Sequence, residues 1–188
     1  TLPLVILGVI LSTLHQSSLG SLFLIATTKL SQLWYTPLLP VLFFLSAVAV
    51  GPAMVIVESS LSSRAFGRGL EKDLLAGLGK AASTALWIYL ALKIGDLLVR
   101  GAWTRLLSPT FTSGFFWAEI ILLLVPAVLM GQQSVREDPK TLFRAALLVI
   151  VGVVLNRLNV SLIGMWAYTG PMYFPSWAEI LVSVSLVL

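Results

Sequence analysis

The stretch VLFFLSAVAVGPAMVIV at residues 41–57 decides the fold class. It contains no charged side chain and lies within an apolar segment, residues 37–61, that exceeds the roughly 20 residues a membrane-spanning helix needs. Five further apolar segments accompany it, at residues 2–28, 74–99, 114–133, 141–165 and 176–188. Backbone groups in lipid must find hydrogen-bond partners within their own segment, and the alternation of a barrel strand is absent, so all six are predicted to be helices. We therefore predict an all-α integral membrane protein with about six transmembrane helices.

The composition agrees with this fold class and excludes several kinds of chemistry. Of the 188 residues, 58% are hydrophobic and 11% are charged, whereas a soluble domain is about one quarter charged. The chain has no cysteine and one histidine, so it can ligate no iron–sulfur cluster and cannot supply the two histidines of a membrane b-type haem. The last apolar segment is shorter than a full span, and we expect the chain to be a piece of a longer membrane protein.

Basic residues near the segment ends predict the orientation. The second and fourth connections contain seven basic residues and the other three contain four, which indicates that the second and fourth connections are cytoplasmic. This distribution explains most of the net charge of +4 without a nucleic-acid partner. Aromatic residues at segment ends are typical of an interfacial belt. They are Trp34, Tyr35, Trp103, Trp117, Trp166, Tyr168, Tyr173 and Trp177.

Polar residues inside the first segment form an unusual cluster, LSTLHQSSLGSL at residues 11–22. Gly8, Ser12, Gln16 and Gly20 recur every fourth residue and share one helix face. The serines are explained by helix packing and by hydroxyls that bond back to the carbonyl one turn earlier. His15 and Gln16 favour a functional role, because each brings polar groups that need partners and an imidazole exchanges protons near neutral pH.

Of the charged residues within the other apolar segments, four are candidates for a functional role: Glu58, Asp96, Glu119 and Arg157. Glu58 ends the second segment and is either an interfacial carboxylate or part of a proton path. Asp96 has Lys93 and Arg100 within one turn, which predicts an ion-pair ladder along one helix, with a proton path as the alternative.

Glu119 has no charged residue within one turn, so its partner is expected on another helix unless the carboxyl group is neutral. Arg157 either snorkels to the interface or pairs with Glu119 or Asp96.

Several motifs taken together resemble the polysulfide reductase/NrfD family. They are LSTLHQSSLGSL, LWYTPLLPVLFFLSAVAVGPAMVIVES, FFWAEIILLLVP, NRLNVSLIGM and YFPSWAEILVSV, and they run through nearly the whole chain in the family's order. Within the family, the chain is most similar to the HybB-type membrane subunits of periplasm-facing nickel–iron hydrogenases. The resemblance implies two four-helix bundles, with residues 1–63 adjoining the first, quinone-binding bundle and residues 64–188 supplying the remaining helices of the second.

The resemblance also implies a function. A membrane subunit of this family would contain no haem or cluster. It would pass electrons between a ferredoxin-like iron–sulfur subunit and menaquinone or ubiquinone. The iron–sulfur subunit would in turn be attached to a catalytic redox enzyme such as a nickel–iron hydrogenase. It would lie in the cytoplasmic membrane of a bacterium or archaeon. His15, Gln16, Ser17 and Ser18 lie on the helix that matches one wall of the family's quinone pocket.

These resemblances lead to a mechanistic hypothesis with two rivals. Reduction of a quinone needs hydrogen-bond donors at its carbonyl oxygens and two protons, which an imidazole can help to provide. Glu58, Glu119, Asp96 and Arg157 are candidate members of a proton path. The rivals are a purely structural anchor for a redox enzyme and an ion or solute transporter, although the sequence lacks the inverted repeat typical of transporters.

Overall fold

The computed structural model describes residues 2–25, 30–67, 69–106, 110–165 and 176–185. Within these residues, five helices are long and apolar enough to cross a membrane. They are α1 (Leu2–Ile25), α2 (Leu39–Phe66), α3 (Lys72–Val99), α4 (Phe111–Gly131) and α6 (Pro139–Leu158), which continues as a π-helical turn (Asn159–Ile163). Shorter helices are a 3-10 turn (Ala102–Leu106), α5 (Gln133–Glu137) and α7 (Trp177–Ser185).

The predicted spans are confirmed for the first five segments, with ends that differ by a few residues. For the sixth, the described part is α7, which has nine residues. Three termini show why the helices begin or end where they do. Thr110 and Ser113 form a reciprocal capping box at α4, Asp138 accepts the backbone N–H groups of Lys140 and Thr141 at α6, and Gly67 ends α2 with a φ of 64°, which glycine adopts without a steric penalty.

Four helices form a closed bundle in which α2, α3, α4 and α6 each contact two neighbours, in the cyclic order α2–α3–α4–α6. Gly152 allows α6 to pack tightly against α4, since a Cβ atom there would lie 2.7 Å from Leu123 Cδ2. Large apolar side chains cover the outside of the helices, as expected where lipid replaces water as the solvent. The chain is a multi-pass integral membrane protein.

Helix α1 stands beside this bundle and packs principally against α2. The two helices are in tight contact at Gly20, where a Cβ atom would lie 2.8 Å from Pro40 Cα. The predicted division of the chain into two regions after residue 63 stays a prediction. In the structure, α2 is one of the four helices of the bundle. We call the end at which α2 begins and α3 ends the outer end, following the orientation predicted from the loop charges.

Candidate functional site

The largest group of buried polar side chains surrounds Glu119 in the outer half of the bundle. Glu119 lies on α4 and is 0% exposed. Its Oε1 atom pairs with Lys93 Nζ and accepts a hydrogen bond of 2.7 Å from Asn156 Nδ2. Its Oε2 atom accepts hydrogen bonds from Trp34 Nε1 at 3.1 Å and from Asn159 Nδ2 at 3.0 Å. Four donors therefore compensate one buried carboxylate, as a charge in a low-dielectric interior requires.

The expectation that Glu119 has a partner on another helix is confirmed, since Lys93 belongs to α3. Lys93 Nζ also donates to Tyr89 Oη at 3.2 Å and lies 5.1 Å from the centroid of the Phe116 ring. Asn156 Nδ2 lies 3.1 Å from the same Tyr89 hydroxyl oxygen. Because Tyr89 and Lys93 are one helical turn apart, α3 presents both to the bundle interior.

The predicted ion-pair ladder around Asp96 is confirmed on one side and wrong on the other. Arg100 Nε donates to Asp96 Oδ2 at 2.7 Å, as predicted. Lys93 pairs with Glu119 instead, because its position on α3 turns the ammonium group toward a fully desolvated carboxylate. The other oxygen of Asp96 accepts a hydrogen bond of 2.9 Å from Thr36, so the outer connection is fastened to α3.

Arg157 pairs with neither of its two predicted carboxylate partners. Its Nη2 atom donates to Ser46 Oγ at 2.7 Å and to the carbonyl oxygen of Phe43 at 3.1 Å, and its guanidinium carbon lies 3.6 Å from the centroid of the Phe43 ring. Its Nη1 atom lies 3.4 Å from Asn156 Oδ1. Within the described part of the chain, the hydrogen bond between the guanidinium group and the cluster around Glu119 is the one to Asn156.

The π-helical turn at the end of α6 positions the last member of the cluster. Asn159 begins this turn and donates from Nδ2 to the Phe115 carbonyl oxygen at 3.1 Å as well as to Glu119. Its Oδ1 atom is buried without a hydrogen-bond partner among the described residues. Single π-helical turns are frequent at functional sites, which makes this end of α6 a notable part of the site.

The sequence predictions missed most of the partners of Glu119. Trp34 was assigned to the interfacial belt, and this is wrong, because the side chain is 2% exposed and bonds to Glu119. Lys93 was assigned to a ladder on its own helix. A usable signal was the pair Asn156 and Asn159, which share one face of an apolar helix three residues apart.

The polar residues of α1 lie on different faces. His15 and Ser18 are exposed, on the face that points away from α2. Gln16 lines a groove against α2 and α6, and Ser17 is half-buried. The predicted back-bonding is confirmed for Ser18, whose hydroxyl donates to the Leu14 carbonyl oxygen at 3.0 Å.

Glu58 is exposed on α2, far from His15. Because Gly20 lies beside Pro40, a rise of 1.5 Å per residue places His15 about 8 Å and Glu58 about 27 Å below that level. The two residues are thus about 20 Å apart along the bundle axis by the same measure. Neither has a hydrogen bond within the described part of the chain.

The residues present do not fit a bis-histidine haem. The chain has one histidine, and the described residues contain no group of three or more histidine or acidic side chains that could hold a metal ion. They do offer a donor suited to a quinone carbonyl, the imidazole of His15, and the Ser18 hydroxyl oxygen lies one turn away on the same exposed face as an acceptor.

The fold and the site define a class, that of multi-pass helical membrane proteins with a charged network inside a four-helix bundle. Residues 1–167 match the family model described as "Polysulphide reductase, NrfD". The chain belongs to this NrfD family.

Three curated relatives are similar to nearly the whole chain. A protein of Nitratidesulfovibrio vulgaris (strain Hildenborough) is 40% identical, over 100% of this chain and 50% of its own length. The "Probable Ni/Fe-hydrogenase 2 b-type cytochrome subunit" of Escherichia coli K12 is 36% identical, over 98% of this chain and 48% of its own length. The "Menaquinone reductase, integral membrane subunit" of N. vulgaris is 30% identical, over 96% of this chain and 48% of its own length.

The chain thus spans about half the length of the curated relatives it matches. No solved structure matches it significantly. The name of the E. coli relative attributes a b-type haem to that protein, whereas the single histidine here cannot provide both axial ligands of such a haem.

Proposed function

We propose that this chain forms the C-terminal part of a quinone-reacting membrane subunit of a respiratory oxidoreductase complex. Membership of the NrfD family supports this proposal, as do the names of two relatives, one a hydrogenase subunit and the other a menaquinone reductase subunit. Electrons would pass between a ferredoxin-like iron–sulfur subunit and menaquinone or ubiquinone. A nickel–iron hydrogenase is the proposed catalytic partner, and the cytoplasmic membrane of a bacterium or archaeon is the proposed location.

The observation that best supports quinone chemistry in this chain is the exposure of His15. Histidine is costly on an apolar membrane helix, and α1 packs principally against α2, so the face with His15 and Ser18 is open to helices outside this chain. The quinone supplies the redox chemistry when bound. His15 donates a hydrogen bond to one carbonyl oxygen and exchanges a proton there, because an imidazole can be both donor and acceptor near neutral pH.

The remaining polar residues of α1 have supporting roles in this proposal. Gln16 and Ser17 lie on other faces of α1 than His15, so they orient the helix rather than contact the same carbonyl oxygen. Ser18 lies three residues from His15 and can hold a water or the quinone ring in position.

Proton supply is proposed to involve the network around Glu119. A small cavity between Lys93, Asp96, Thr36 and Tyr89 has a volume of about 10 Å³, which is room for about one water molecule. Such a water would join Asp96, close to the outer surface, to Lys93 and Glu119 inside the bundle. Glu58 would serve the cytoplasmic end, and Arg157 would add positive charge beside Asn156.

Substitution of His15 tests the proposed quinone site in the complete complex. His15→Ala should lower quinone-linked turnover about 100-fold, the usual contribution of a positioned proton-transfer group, with no change in dye-linked activity of the catalytic partner. Leu22→Ala is the matched control, since Leu22 is an exposed residue two turns further along the same face of α1. Unchanged quinone kinetics in His15→Ala and in a His15→Ala/Gln16→Ala double variant would instead identify the chain as a structural anchor.

A further inference from the structure

A groove between α1, α2 and α6 lies on a different face of α1 from His15. It meets the network around Glu119 at one contact, between Arg157 and Asn156. Its volume is about 900 Å³, within the range of pockets that enclose small organic ligands. Its lining is mostly apolar, and glycines widen it, since a Cβ atom at Gly8 or Gly51 would meet nothing within 4 Å. The polar side chains along it are Ser12, Thr13, Gln16 and Arg157.

Among the residues that the structure describes, Arg157 is the one charged residue that lines the groove. It has no carboxylate partner among the described residues, whose ion pairs join Lys93 to Glu119 and Arg100 to Asp96. Its Nη2 atom bonds to α2, whereas its Nε–H group has no acceptor in the described part of the chain. A guanidinium group beside an apolar groove at membrane depth needs a counter-charge.

The dimensions of the groove match one leaflet of a bilayer. Arg157 lies six residues before the end of the π-helical turn at Ile163, hence about 9 Å below the outer end of this helix. Along α2 the lining runs from Ala47 to Val55, a further 12 Å or so toward the middle of the membrane. The hydrocarbon core is about 30 Å thick, so one leaflet contributes about 15 Å.

We propose that this groove binds a phospholipid, with its phosphate on the Arg157 guanidinium group and an acyl chain along α1 and α2. A phosphate supplies the missing negative charge and accepts a charge-assisted hydrogen bond from the Nε–H group of Arg157. A neutral quinone carbonyl would leave the cation uncompensated. The leaflet depth also favours an acyl chain, and the site does not depend on the quinone chemistry proposed for His15.

Lipid retention in the purified full complex tests the proposal. The complex is washed in detergent, and bound phospholipid and quinone are extracted and quantified by mass spectrometry. Delipidated complex is then titrated with phosphatidylglycerol and, separately, with phosphatidylethanolamine. We expect Arg157→Gln to weaken phospholipid retention by roughly tenfold, the effect of losing one charge-assisted contact.

Two matched controls separate this effect from general damage. Arg144→Gln removes an exposed charge from the same helix and should leave retention unchanged. Gly51→Leu adds a side chain to the groove at a position where a Cβ atom would meet nothing within 4 Å, and it should displace the acyl chain. Gly95→Leu, at an equally open position on α3, should not.

Three results would overturn the proposal. They are equal phospholipid retention in Arg157→Gln and the native complex, quinone rather than phospholipid lost on Gly51→Leu, and crosslinks from position 51 to another protein helix. Loss of phospholipid with unchanged quinone turnover in Gly51→Leu would support the lipid site and leave the role of His15 intact.

Discussion

The buried pair of Lys93 and Glu119 provides a test of the network's electrostatics. Lys93→Met keeps a side chain of similar length and removes the ammonium group, so Glu119 is left with three neutral donors. Removal of one partner from a buried ion pair costs about 3–5 kcal/mol, because the other charge stays desolvated. Since Glu119 is 0% exposed, we expect the full effect, a midpoint of thermal unfolding lowered by about 10 °C.

A second substitution separates the charge from the packing. Glu119→Gln alone leaves Lys93 unpaired and should be destabilising to a similar degree. The double variant Lys93→Met/Glu119→Gln leaves neither charge of the pair in the interior. It should be about 1–3 kcal/mol more stable than the sum of the two single effects predicts. Thermal unfolding of the purified protein in detergent measures all three variants against the native chain.

The control is Lys80→Met, because Lys80 is an exposed residue of the same helix and its loss should change stability by less than about 0.5 kcal/mol. A Lys93→Met variant as stable as this control would contradict a buried ion pair at this position. So would single effects that simply add in the double variant, since charges in contact must be coupled.

Three further predictions concern separate contacts. Trp34→Phe removes the indole N–H that donates to Glu119 and should lower the free energy of unfolding by about 1–3 kcal/mol, measured by denaturant titration in mixed micelles. Gly152→Ala should destabilise by a similar 1–3 kcal/mol through overpacking against α4, whereas Gly77→Ala, in open space, should be neutral or stabilising in the same titration. The Thr141 hydroxyl and the Lys140 N–H lower the pKa of Asp138. The helix cap formed by Asp138 therefore stabilises the native state at pH values above the ordinary pKa of about 4, and this stabilisation is lost as the pH falls further. Asp138→Asn should lack this acid-dependent step in thermal unfolding.

Much of the fold follows from local patterns, because membrane spans depend on length and hydrophobicity alone. The spans containing residues 41–57 and 114–131 were predictable for this reason, and so were caps such as Asp138 before Pro139. The network was predictable only in part. The isolation of Glu119 on its helix indicated a distant partner, but its identity depends on how α3 and α4 are rotated against each other.

Contacts predicted from sequence neighbours were wrong for two residues that have a more deeply buried partner on another helix. Lys93 has Asp96 within one turn, yet it pairs with Glu119. Arg100 already pairs with Asp96, and Glu119 is 0% exposed to bulk solvent. Trp34 was assigned wrongly for a similar reason. Its position near a segment end is typical of an interfacial anchor, but the connection places its side chain inside the bundle, where it bonds to Glu119. In both residues the burial of an acceptor, which only tertiary structure shows, decided the contact.

Asn156 connects the two polar regions that the proposals treat separately. Its Oδ1 atom lies 3.4 Å from Arg157 Nη1 in the groove, and its Nδ2 atom donates to Glu119 Oε1 at 2.7 Å. A charge that binds to Arg157 would therefore polarise an amide whose other end holds the buried carboxylate. The groove and the network should consequently be coupled electrostatically through one side chain, although α1 and Glu119 lie on opposite sides of the contact between α2 and α6.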